Sequence, residues 1–183
     1  MPVQIVVGTT LMARMSKVLA RLLNVVPSKE MEGIQLEGPF WEVEGSRLDY
    51  AEFFRRLPDL VSDQAVFFLE GGAHPPALSR FFEEHAVPPR VKVARGTLWP
   101  RGSVFHVPTE PSVLMDLAEL AEQCAGPEIC DHLHVYEDDR ILLEWHDAFS
   151  DPFSVSRQLS EERMQEFCRK LNVEFKAKEE GTA

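Results

Sequence analysis

His132 and His134 lie two residues apart in a stretch of strand-like character, so in an extended chain both imidazoles project from one side. Paired imidazoles at that spacing suit metal ligation, which asks for donors about 2.0–2.1 Å from the ion. A third ligand would come from His146, or from Asp147, Asp151 or the more distant His106. The chain contains no H-E-x-x-H pattern, and in the simplest hairpin register His146 falls on the opposite face from His132 and His134. A metal-assisted hydrolase built on His132, His134 and His146 with nearby carboxylates is therefore the alternative reading and not the first.

The segment from Trp145 to Phe153 concentrates aromatic and acidic residues. Its aromatic rings could anchor a partner while Asp147 and Asp151 pair with lysine or arginine. The competing reading turns Trp145, Phe149 and Phe153 into the core and uses Asp147 and Asp151 in local Asx turns.

Nucleophilic chemistry is poorly supported. Cys124 and Cys168 fall on the apolar faces of predicted helices, and Cys130 has only His132 nearby with nothing to orient the imidazole. There is no G-x-S-x-G elbow and no G-x-G-x-x-G. Gly71, Gly72 and His74 connect a strand to a helix, but Pro75 and Pro76 remove two amides that an anion nest would use. No catalytic residue and no cofactor is assigned.

Charge is the more informative signal. The 183 residues carry a formal charge of −11, and residues 110–162 hold Arg140 and Arg157 against 14 Asp and Glu, a net of −12. Such a field repels nucleic acid backbones and attracts a basic protein, whose docking would relieve the repulsion between like charges. The protein-binding residues proposed on this basis are Asp138, Asp139, Glu144, Trp145, Asp147 and Asp151. No run of 18 apolar residues is present to span a bilayer. Three cysteines cannot all pair within the chain, and Arg14, Lys17 and Arg21 interrupt the apolar stretch that a secretory signal would need, so a cytoplasmic location is expected.

The elements that must position these residues follow from periodicity and caps. Gln4–Val7 reads as a strand and Leu11–Val26 as an amphipathic helix. Residues 34–44 alternate loosely around Gly38 and Pro39, which suggests two short strands or a strand with a turn. Asp49 caps a helix that Pro58 should stop at Leu57, and Ala65–Leu69 is an apolar strand. A helix over Ala77–His85 follows, then strands at Val91–Val93 and Ser103–Val107. Thr109 is placed to cap a helix that ends near Gly126–Pro127. The hairpin His132–Glu137, Arg140–His146 turns on Asp138–Asp139, which sets Glu137 opposite Arg140 and His134 opposite Leu143. Ser160 caps Glu161–Leu171, and residues 176–183 form a flexible tail after a single domain over 1–175.

The expected architecture is α+β: a mixed or mainly antiparallel sheet of about five to seven strands packed by four to five helices. The expected function is an acidic interaction domain, of the inhibitor or immunity-like kind that neutralises a basic enzyme acting on nucleic acid. A structural module, or a homodimer without catalysis, is the third reading.

Overall fold

The structure, a computed structural model, describes residues 33–45, 48–97 and 102–179. The strand and helix expected within residues 1–32 lie outside the described residues. Among the described residues seven strands form one antiparallel sheet: β1 (Phe40–Val43), β2 (Val66–Glu70), β3 (Val104–Pro108), β4 (His132–Glu137), β5 (Arg140–Trp145), β6 (Phe153–Ser156) and β7 (Phe175–Lys178). Their spatial order is β3-β2-β4-β5-β6-β1-β7, so β4 and β5 occupy the middle. Five helices accompany them: α1 (Tyr50–Leu60), α2 (Pro76–His85), α3 (Pro111–Ala121), the single turn α4 (Gly126–Ile129) and α5 (Glu161–Leu171). The fold is α+β.

Alternation along each strand sorts the side chains onto two unequal faces. The front face carries Phe67, Leu69, Leu133, Val135, Leu143, Trp145, Phe153 and Val155, which join buried residues of α1, α2, α3 and α5 in the main core. Phe53 stands at its centre, edge-on to Trp145, Phe149, Phe153 and Phe167. The rear face has a smaller core of Val66, Phe68, Tyr136 and Ile141. Among the described residues two chain segments pack on it as straps that meet in a parallel bridge between Ile34 and Val93.

Local signals set several boundaries. Asp49 Oδ1 accepts from the amide of Glu52 at 2.8 Å and opens α1; Ser160 Oγ accepts from Arg163 at 3.3 Å and opens α5. Asn172, in the left-handed region at φ 55°, closes α5.

Elsewhere packing overrides the local expectation. Pro58 does not stop α1: the helix runs to Leu60, because Leu57 and Leu60 are both fully buried and proline in a last turn leaves few carbonyls to disrupt. Thr109 does not cap α3. Its hydroxyl lies 2.8 Å from the carbonyl oxygens of both Ser62 and Ala65, and Glu110 takes the cap position without a side-chain bond. Val91–Val93 contributes only the bridge at Val93. Residues 176–178 are not the start of a tail: they pair with β1, Lys176 opposite Glu42 and Lys178 opposite Phe40.

Candidate functional site

The middle of the sheet departs from the simplest hairpin. Glu137 faces Arg140 and Tyr136 faces Ile141, but the register shifts between Val135 and Tyr136, so that Val135 faces Leu143, His134 faces Glu144 and Leu133 faces Trp145. His134 therefore does not oppose Leu143 as expected. The extra residue is Leu142, buried in the front core beside Leu143. The physical reason is visible in the alternative. Without the bulge, strict alternation would turn Glu144 into the front core and expel Trp145, which here is fully buried against Phe53, Phe149 and Phe153.

The same shift corrects the placement of His146. Its ring lies with those of His132 and His134 at centroid distances of 5.2 and 5.1 Å, on one face and not on opposite ones. β2 adds Glu70, directly opposite His132, and Glu70 is completely buried. Register pairing also places Lys176, Glu42, Ser154, Glu144, His134, Phe68 and His106 in one row across all seven strands. The rear face is thus polar at the end where β5 finishes and apolar towards the Asp138–Asp139 turn.

The straps are fastened to this polar end. Glu144 accepts from the amide of Leu36 at 2.7 Å through Oε2 and bonds His146 Nε2 at 2.8 Å through Oε1. Glu70 Oε2 accepts from the amide of Gly96 at 2.9 Å. His132 Nδ1 accepts from the amide of Asp147, which leaves Nε2 as the protonated nitrogen, 3.0 Å from Thr97 Oγ1. Against these bonds stand unpartnered buried atoms: Glu70 Oε1 and both ring nitrogens of His134.

Burial and neighbours push these groups apart. Desolvation lowers His134 to about 3, so it is neutral near pH 7, and lowers His132 as well. The bond from Glu144 raises His146 above the usual histidine range despite partial burial. For Glu144 itself burial acts to raise the carboxyl, but the bonds from His146 and Leu36 outweigh it and hold the group low.

The loop that follows β5 is conformationally unusual. Asp147 and Phe149 both adopt positive φ, 45° and 68°, a region that a bulky aromatic residue enters only when its surroundings hold it there. Phe149 is held by its ring, which packs on Tyr50, Phe53 and Trp145. The amides of Ser150 and Asp151 bond the backbone carbonyl of Asp147, and both Asp147 and Asp151 are exposed.

The sequence-derived residues accordingly divide. Glu144, His146, Asp147, His132 and His134 come together, with Asp131 and Asp151 close in the chain to the same end. Trp145 presents no surface to a partner: its ring is in the core and its indole N–H donates to the carbonyl of Asp151 at 2.8 Å. Asp138 and Asp139 occupy the turn at the other end of six-residue strands, roughly 20 Å away. His132 has both ring nitrogens engaged, and among the described residues no three His, Cys, Asp or Glu side chains are arranged to hold a metal ion. Cys130 belongs to the front core with its thiol pushed up by burial, and burial likewise pushes Cys168 up to about 12. In the Gly71–His74 loop the amides of Gly71 and Gly72 are already taken, by the Ser103 carbonyl and the Asp131 carboxylate.

Glu70, Gly96 and Thr97 escaped the sequence reading. The only trace of Glu70 is a charged residue closing the apolar run Val66–Leu69, and nothing local marks the other two.

Among the described residues, Glu122, held by Arg55, is the one carboxylate of segment 110–162 with an arginine or lysine partner. Other basic groups pair elsewhere, Arg157 with Glu179, Lys170 with Asp59, and Lys176 and Lys178 with Glu42. A cavity of about 420 Å³ at the β1–β7 end is lined by Glu42, Glu44, Glu174 and Lys176, and its Glu42 is already compensated by those two lysines. No helix of the described residues is long and apolar enough to cross a membrane. No family model, no curated protein and no solved structure matches the chain.

Proposed function

We propose that this chain is a protein-binding domain that docks a basic protein partner, in the manner of an inhibitor or neutralising subunit of an enzyme acting on nucleic acid. The observation that carries the reading is the uncompensated acidity of segment 110–162, in which Glu122 alone meets an arginine or lysine of the described chain. On this reading the docking surface is the end of the sheet that carries Glu144 and Asp147, with Asp131 and Asp151 near them in the chain. The Asp138–Asp139 turn lies outside that surface. Exposed carboxylates without an arginine or lysine partner, such as Asp147 and Asp151, raise the encounter rate with a cationic surface, and that advantage is screened by salt.

The test is an association-rate series with arginine- and lysine-rich peptides and with basic nucleases. Ionic strength is raised from about 0.01 M to about 1 M, over which the screening length shrinks from about 30 Å to about 3 Å. The rate should fall steeply for the native chain, and weakly for a triple variant carrying Asp131→Asn, Asp147→Asn and Asp151→Asn. Asp138→Asn with Asp139→Asn should retain the native slope. A rate indifferent to salt, or a slope abolished by the turn pair alone, would remove the reading.

A further inference from the structure

We infer that the cluster of Glu144, Glu70 and His134 beneath His146 is a receptor for a guanidinium group, an arginine side chain of the basic partner that enters by displacing the His146 ring. This rests on the docking reading above and names the partner group that the site would select.

Three observations lead there. The first is an excess of acceptors. Glu70 Oε1 is buried without a partner, and His134, neutral and 2% exposed, offers an unprotonated ring nitrogen that also lacks one. Unmet buried acceptors are costly, and N–H donors would satisfy them. The second is charge. Glu144, Glu70, Asp147 and Asp131 approach the cluster from β5, β2 and the adjoining loops, and no arginine or lysine among the described residues pairs with any of them. Among the described residues the basic group bonded to Glu144 is His146, whose hold on a proton that bond strengthens.

The third is shape. His146 is the cluster's open member, its side chain 50% exposed, and it stands between solvent and the buried His134 while occupying Glu144 Oε1. A guanidinium is planar and close in size to the imidazole it would replace. Its several N–H donors fork in directions that can serve Glu144 and His134, which face each other on adjacent strands, while Glu70, on the far side of His132, adds negative charge; a compact ammonium matches that fork poorly. A transition metal would compete for the same space but would need nitrogens of His132 that are engaged by Thr97 and Asp147. Because His146 must release Glu144, arginine capture should strengthen as pH rises and His146 loses its proton. The groups facing His146 in that titration are Glu144, Asp147, Glu70, His132 and His134.

The experiment is an NMR titration of the full chain with a capped basic peptide containing one arginine, beside the same peptide with citrulline in its place. Citrulline keeps the shape and removes the charge. The arginine peptide should bind at least about tenfold more tightly, which corresponds to about 1.4 kcal/mol. On binding, the titration midpoint of the His146 ring should fall towards the ordinary histidine value as its bond to Glu144 is lost. Glu144→Gln should abolish the discrimination while leaving salt-dependent binding of both peptides. Should that variant not fold, His146→Ala removes the competitor and should raise arginine affinity and flatten its pH dependence. Equal affinity for the two peptides with salt-dependent binding intact would overturn the receptor and leave the docking reading standing. Binding of neither peptide would count against both. Stoichiometric uptake of Zn²⁺ that shifts the His134 and His146 resonances and blocks the peptide would reassign the cluster to metal.

Discussion

His134 stands directly opposite Glu144 across the central strand pair, yet the carboxylate bonds His146 and the Leu36 amide and leaves both nitrogens of His134 without a partner. A neutral imidazole is thereby held between Glu144 and Phe68, and its burial outweighs the attraction of Glu144 for a proton.

That arrangement makes stability depend on pH. Unfolded, His134 titrates near 6.5; folded, it titrates at about 3. Between those values the unfolded chain binds the extra proton, so stability is lost as pH falls below 6.5, at about 1.4 kcal/mol per pH unit for this group. His132, also lowered, acts in the same direction, whereas the raised His146 contributes stability at low pH that disappears as pH rises through its folded value. Urea midpoints measured from pH 7 to pH 4 should drop steeply for the native chain and less steeply for His134→Gln. Parallel profiles for the two proteins would show that His134 is not the group responsible.

Gly96→Ala should damage the cluster without touching a charged residue. A Cβ there would lie 2.5 Å from His132 Cδ2 and 2.6 Å from its Nε2, so the strap must retreat and the Gly96 amide must leave Glu70. Neither oxygen of the buried Glu70 would then be bonded. A loss of about 1–3 kcal/mol in denaturant unfolding is expected. An unchanged midpoint would mean that the strap is not seated on His132.

The hairpin turn offers a contrast. Asp138 sits at φ 54°, where glycine is at ease and an L side chain is not. Asp138→Gly should raise stability by up to about 1 kcal/mol and leave the salt dependence of partner association unchanged. A loss of stability would show that the Asp138 side chain contributes bonds which outweigh its strain.

Legibility in the sequence followed the range of the interaction. The caps at Asp49 and Ser160, the span of α5 and the hairpin tip at Glu137–Arg140 depend on residues a few positions apart, and the structure has each of them. Strands β6 and β7 have four residues each and gain their partners from β5 and β1, so no local pattern marks them. Pro58 does not end its helix because its local penalty is smaller than the burial of Leu57 and Leu60, which depends on the packed structure.

Composition and short-range spacing were enough to establish an α+β chain with its acidity concentrated in residues 110–162 and two histidines on one side of a strand, since each depends on residue identity and near neighbours alone. The company those histidines keep was decided in three dimensions. Trp145 and the adjacent Leu142 and Leu143 all gain more from the aromatic and aliphatic core than from solvent, so the strand slips by one residue. That slip sends Glu144 and His146 to the face where Glu70 arrives from a strand more than seventy positions earlier. A one-residue register change reverses every side chain beyond it, and the energy that selects the register comes from the whole core.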